Sequence, residues 1–263
     1  RVLVLALDSS ATASVALARV HGSEAGASFD ILARFESEDT RSHAEVMAPF
    51  ARAALQEAGV RGEELDAILT GTGPGPFTGL RAGIVTARAL GFAWSVPVYG
   101  MMSLTALAER AYQERVFAQG GGAGEAEGAE LLVASDARRR EVYSARYRVN
   151  AEGYSLVDGP TVSPASEILP GEGPSYAYGY GAGLYAETLR ELGWDLVEAG
   201  EGIHPHAEYL LAAAARRGLD ALSPDTSALY LRDSDAKIPA AMLARQQKQA
   251  ARATAQTVGQ REG

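Results

Sequence analysis

The chain has no cysteine. Disulfide bridges and thiolate metal sites are therefore excluded, and a reducing, cytoplasmic setting is the natural expectation. It also lacks any run of eighteen or more apolar residues, so no membrane-spanning helix is expected. The opening RVLVLALDSS is apolar for too short a span to be a signal peptide and has no small-residue cleavage site; it reads as a first strand. Histidine is scarce. His21, His43, His204 and His206 form neither HExxH nor a helical i, i+4 pair, and His204-Pro205-His206 reads as a surface turn, so no metal site is expected. There is no Gly-x-Ser-x-Gly nucleophile motif. A formal net charge of −9 argues against a free-standing nucleic-acid binder. The charge is uneven, however. Residues 236–263 carry Lys237, Arg245, Lys248, Arg252 and Arg261 against one acid, Glu262. That segment reads as a disordered tail over 234–263 or as a contact to RNA or an acidic partner.

What is present alternates strand and helix. Strands are expected over 2–8, 14–20, 31–36, 65–70 and 97–101. Helices are expected over 42–58, 79–94 and 103–116, with Ser42 and Glu45 at capping-box spacing and Pro49 as a blemish. Residues 119–130, QGGGAGEAEGAE, read as a flexible insertion. A second unit follows, with strands over 131–137, 141–149, 155–162, 175–180 and 195–198 and helices over 184–192 and 206–217. Both halves open on a strand ending in aspartate, Asp8 and Asp136, a hint of duplication. This pattern predicts an α/β protein with two lobes that meet near residue 102.

The stretch GTGPGPFTGLRAG (71–83) sits between a strand and a helix. It is not a P-loop, because Leu80 follows Gly79 and the loop holds no lysine; it also misses the GxGxxG spacing. Two readings remain. Thr78 and Gly79 open a helix whose N–H groups can hold an anion, or the loop is a proline-stiffened turn that brings strand and helix together. Asp8 and Asp136 could share a cleft and bind a magnesium–phosphate group, or each could cap its own strand end. The candidate nucleotide site is therefore Asp8, Ser9, Ser10, Gly73, Gly75, Thr78, Gly79 and Asp136. The helices on either side of the loop have wide apolar arcs and many alanines. Met47, Phe50, Ala51, Ala54, Leu55, Ile84, Val85 and Arg88 are the candidate partner interface; the alternative is deeper burial within the chain itself.

LALDSSATASVAL (5–17), SHAEVMAP (42–49), GTGPGPFTGLRAGIVTARAL (71–90), VPVYGMMSLTALA (96–108), SDARRREVYSARY (135–147) and SALYLRD (227–233) together resemble the bacterial TsaB (YeaZ) family. The resemblance implies an actin-like ATPase (ASKHA) fold of two RNase-H-like lobes with mixed sheets flanked by helices. The N-terminal lobe would be 1–101, completed by part of 204–233, and the C-terminal lobe 102–203. It implies a non-catalytic, cofactor-free scaffold and activating subunit in tRNA threonylcarbamoyladenosine synthesis. Such a subunit binds a TsaD-type enzyme, or a second copy of itself, through N-terminal-lobe helices. A TsaE-type ATPase joins the assembly, and tRNA is met only through it. TsaD-type enzymes carry a metal-binding HxxxH after a Pro-Leu-x-Gly segment. Laid on Pro97-Val98-Tyr99-Gly100, those histidines fall on Ser103 and Leu107, which are not a ligand pair. The competing readings are an ATP-dependent kinase-like or glycoprotease-like enzyme using Asp8, Asp136 and the 71–79 loop, and a tRNA-binding module using Arg138–Arg140 and the tail.

Overall fold

A strand that reads VLVLALD is apolar on both sides of its pleat and needs cover on both faces. In the computed structural model, which describes residues 1–38, 43–114, 127–150, 153–197 and 203–232, that strand is β1 (Val2–Asp8), at the centre of a five-stranded sheet. β2 (Ser14–His21) and β3 (Ser28–Glu36) continue it as an antiparallel meander. β4 (Ala67–Gly71) and β5 (Val98–Met101) run parallel to it on the other side, giving the order β3-β2-β1-β4-β5. Parallel strands need crossovers. α1 (His43–Ala58) lies between β3 and β4, and α2 (Phe77–Trp94) links β4 to β5. Leu5 and Leu7 of β1 pack with Met47, Ala51, Ala54 and Leu55 of α1 and Ala87 of α2. Val4 and Ala6 point the other way, onto α6 (Ala207–Arg217) through Leu210, Leu211 and Ala214.

The second sheet repeats the first. β6 (Glu130–Asp136), β7 (Val142–Asn150) and β8 (Gly153–Ser163) form an antiparallel meander. β9 (Ser175–Tyr178) and β10 (Asp195–Leu196) add parallel strands, giving β10-β9-β6-β7-β8. Position for position this is the order of the first sheet, so the duplication hinted at by the two strand-end aspartates extends to whole topology. α4 (Tyr180–Leu184) and α5 (Ala186–Leu192) cover one face with Ala182, Leu189 and the nearby Trp194. α3 (Leu104–Tyr112), which follows the first sheet in sequence, covers the other face with Leu104, Leu107, Ala108 and Ala111. Each half thus lends a helix to the other half's sheet. Residues 1–231 pack as one unit that carries both sheets. Two RNase-H-like sheets arranged this way make the actin-like ATPase fold.

Several boundaries differ from expectation for local reasons. α2 starts at Phe77 rather than 79, because Pro76 occupies its N-cap and its carbonyl accepts from Leu80 N–H at 2.9 Å. β9 stops at Tyr178, since Tyr180 N–H turns away to the Ile203 carbonyl at 2.8 Å. The helix expected over 184–192 is two helices, broken where Tyr185 leaves helical geometry at φ −119°. The insertion expected over 119–130 does not reach Glu130, which opens β6 and accepts from Gly171 N–H at 2.9 Å. Ser42, residues 119–126 and the tail over 234–263 lie outside the described residues.

Candidate functional site

The central strand β1 ends at Asp8, with Ser9 and Ser10 directly after it, where the glycine loop passes. Asp8 Oδ1 accepts from Ser10 N–H at 2.8 Å and from Ser10 Oγ at 2.6 Å. The carboxylate lies against bare backbone: a methyl group on Gly71 would stand 1.7 Å from Asp8 Oδ2 and 2.6 Å from Ser103 Oγ. Ser9 Oγ donates to the Gly79 carbonyl at 2.7 Å and accepts from Gly83 N–H at 2.8 Å. Those two groups pair with each other in a regular α-helix, so the hydroxyl joins the first turns of α2 to β1. Ser103 grips the loop from the other side, its Oγ accepting from Gly73 N–H at 2.9 Å and its own N–H donating to the Gly73 carbonyl at 2.7 Å.

The structure therefore brings together six of the eight candidate nucleotide-site residues: Asp8, Ser9, Ser10, Gly73, Gly75 and Gly79. The gathering is close enough to be a packed joint. A methyl group on Gly75 would stand 2.5 Å from the Ser10 carbonyl oxygen, so the two loops touch backbone to backbone. Glycine is there because nothing larger fits. Thr78 stays exposed on the first turn of α2. Asp136 occupies the matching place at the end of β6, but its carboxylate serves its own turn: Oδ1 accepts from Arg138 N–H at 2.7 Å and Oδ2 lies 3.2 Å from Arg138 NH1. Arg138, Arg139 and Arg140 all adopt left-handed backbone (φ 60°, 55° and 63°), at a cost of roughly 1–2 kcal/mol each.

Ser103 and Leu107 have structural employment. Ser103 pins the loop, and Leu107 is fully buried against β6 and β7. The histidine turn is less exposed than its sequence suggests. Tyr180 covers His204, with ring centroids 4.7 Å apart, and burial lowers the imidazole pKa to about 4. His206 Nδ1 lies 3.2 Å from Glu36 Oε2, and burial lowers its pKa as well. Glu36, His206 and Glu208 offer donor atoms within 4.8 Å of one another. Arg34 already pairs with Glu208 there, and a cation at that spot opposes a metal.

The candidate interface needs correction. Met47, Ala51, Ala54, Leu55 and Ile84 are buried in the chain's own packing, and the first four cover the β1–β4 side of the sheet. Phe50 is half-buried beside Phe35, with ring centroids 6.0 Å apart. Wide apolar arcs here reflect two alanine-rich helices packing on one sheet and on each other. Arg88 is engaged too, donating from Nε to Thr226 Oγ1 at 2.8 Å and from NH2 to the Thr226 carbonyl at 3.0 Å. Arg88 is nonetheless exposed, and of the seven apolar candidates Val85 stands furthest out, at 60% exposure. It belongs to a stripe the sequence reading missed: Phe77 at 45%, Arg81, Val85, Ala89 and Phe92 at 91%. Steps of four, four, four and three residues keep these on one side of a helix. Starting the helix at 79 hid Phe77, and with it the pattern.

Known proteins now bear on this geometry. A family model described as "TsaD: tRNA N6-adenosine threonylcarbamoyltransferase" matches residues 30–240. The Escherichia coli (strain K12) "tRNA threonylcarbamoyladenosine biosynthesis protein TsaB" is 28% identical over 211 residues, 76% of this chain and 85% of that protein. The solved structure "YeaZ from Pseudomonas aeruginosa" superposes with a TM-score of 0.65 at 31% identity, covering 88% of this chain and all of that one. This chain belongs to the TsaB (YeaZ) family. Higher identity occurs with an uncharacterized protein of Mycobacterium tuberculosis (strain H37Rv), 43% over 133 residues, which is 51% of this chain and 54% of that protein. The chain thus spans about half the length of the mycobacterial relative it matches. No helix among the described residues is long and apolar enough to cross a membrane.

Proposed function

We propose that this TsaB-family chain is a non-catalytic, cytoplasmic subunit of a tRNA threonylcarbamoyladenosine transferase assembly, docking and activating a TsaD-type catalytic subunit. A TsaE-type ATPase joins the assembly, and tRNA is met through the assembly rather than by this chain alone. The observation that carries the reading is the stripe on α2. Phe77, Val85 and Phe92 present large apolar side chains to solvent along one helix face, and burying a Phe or Val contributes about 1.5–3 kcal/mol. Such a face on a soluble protein calls for a partner. The packed joint at Asp8, Ser9 and Gly75 supports the same reading, because a loop seated on Ser10 backbone acts as a brace that launches α2. Docking would activate the enzyme by favouring one of its conformations.

The test is light scattering after size exclusion, on the chain alone and mixed with its TsaD counterpart. Wild type should form a 1:1 complex, and Phe92→Glu and Val85→Glu should abolish it while leaving thermal stability unchanged. A complex that survives both substitutions removes α2 as the docking element. Full transferase activity in the absence of this chain removes the activating role.

A further inference from the structure

Beyond α6 the chain returns to the first lobe as a strap over residues 222–230, and nothing in the reading above uses it. Ser223 bridges to the edge strand β5, its carbonyl accepting from Gly100 N–H at 2.8 Å. The fit is close: a methyl group on Gly100 would stand 2.0 Å from the Asp225 carbonyl oxygen. Thr226 is buried under the Arg88 guanidinium of α2. Leu229 N–H donates to the Thr72 carbonyl at 2.8 Å. Tyr230 then lies on Phe77, ring centroids 4.8 Å apart, and the Arg81 guanidinium sits 4.5 Å over the same Phe77 ring. Tyr230 is itself 41% exposed. The N-terminal half of the α2 stripe is therefore built from two segments far apart in sequence.

We propose that the partner surface is composite, α2 plus the strap, with the Tyr230–Phe77–Arg81 cluster as its anchor, and that its occupant is a different protein carrying a carboxylate opposite Arg81. This rests on the docking reading above and specifies the partner's chemistry. The two arginines of α2 differ in a way that points there. Arg88 donates two hydrogen bonds to Thr226, and the nearby Asp225 carboxyl is held low chiefly by its hydrogen bonds with Ser227, with Arg88 adding to them. Arg81 has a ring beneath it and, among the described residues, no carboxylate beside it. Tyrosine and arginine are among the residue types enriched at the anchors of interfaces. A second copy is a poor occupant. α2 contains no acidic residue, so a two-fold antiparallel contact centred on Val85 would set Arg81 opposite Ala89, next to Arg88 of the other copy. The strap's Asp225 is already taken up by Ser227 N–H at 2.8 Å.

The experiment is calorimetric titration of the full chain with the TsaD counterpart, using Tyr230→Ala, Arg81→Glu and, as the control for docking itself, Phe92→Glu. Circular dichroism confirms folding of each. Tyr230→Ala and Arg81→Glu should each weaken binding by about tenfold or more, and added salt should weaken wild type more than Arg81→Gln. If Phe92→Glu abolishes binding while Tyr230→Ala or Arg81→Glu binds like wild type, docking through α2 stands and the composite surface is overturned. If all three bind like wild type, the docking reading itself fails and takes the proposal with it. A chain that dimerises by itself, loses the dimer on Arg81→Glu and is not displaced by the counterpart would make a second copy the occupant and overturn the acidic-partner assignment.

Discussion

The two lobes share one strand order but treat the link between their fourth and fifth strands differently. In the first lobe that link is α2, eighteen residues long, with Phe77, Val85 and Phe92 on its outer face. In the second it is α4 and α5, five and seven residues, and α5 turns Glu187, Arg190 and Glu191 outward, with Leu184 the one large apolar side chain in the open on this pair. The aspartates at the ends of β1 and β6 diverge likewise. Asp8 is fully buried in the brace beneath α2, whereas Asp136 is partly exposed and holds its own turn. Duplication supplied two equivalent frames. In one, a buried joint holds a long helix whose far side is left apolar; in the other, the same position closes with a polar surface that needs no neighbour.

The comparison breaks most severely where the lobes exchange helices. Glu109 of α3 is fully buried, and its carboxylate accepts from Arg216 of α6 (Nε at 2.8 Å, NH2 at 2.7 Å), from Tyr154 OH at 2.7 Å and from Gln113 Nε2 at 2.8 Å. Arg216 also lies 4.5 Å over the Tyr112 ring. Glu109→Ala leaves a half-buried guanidinium without its acid and should cost about 3–5 kcal/mol in urea unfolding. Both sheets should lose their protection against amide exchange together, since each depends on the other half's helix. Loss confined to one sheet would mean that the lobes are energetically separate.

A smaller effect separates the two faces of α2. Ile84→Ala should destabilise the chain by about 2–4 kcal/mol, because it empties a buried site. Val85→Ala, one residue on and 60% exposed, should change stability by less than about 0.5 kcal/mol and act instead on complex formation. Equal losses at the two positions would contradict the burial pattern that defines the stripe.

How much of this was legible in the sequence depends on whether the signal was local. The order of strands and helices was, because apolar runs, glycines and prolines mark them within a few residues. The two strand-end aspartates pointed to duplication. What could not be read was which side of an alanine-rich helix faces inward. Met47, Ala51, Ala54 and Leu55 look like an exposed seam on a helical wheel, and it takes the sheet beneath them to show that they are core. The helix exchange and the strap depend on contacts between residues more than a hundred positions apart, such as Arg88 with Thr226 and Glu109 with Arg216. No window of sequence contains those pairs. Phe77 could have been found: Pro76 is a natural helix opener, and counting from it exposes the 77-81-85-89-92 pattern.

A further effect is a pH dependence that distinguishes the lobes' strand ends. His204 sits beneath Tyr180 near the end of β6, and burial lowers its pKa from 6.5 to about 4. The charge on His206 pushes it the same way, and Asp136 opposes them more weakly. A base whose pKa falls on folding is neutral in the native state while the unfolded chain takes up a proton. Stability contributed by that neutral imidazole is complete above pH 6.5 and drains away as pH falls from 6.5 toward 4. His206 is shifted in the same direction and adds to the slope. Thermal unfolding between pH 7 and 4.5 should therefore show a decline that His204→Gln reduces but does not remove. Asp8, braced in the first lobe, has no imidazole above it among the described residues. An unchanged pH slope in His204→Gln would mean that His204 titrates alike in both states and that its burial carries no stability.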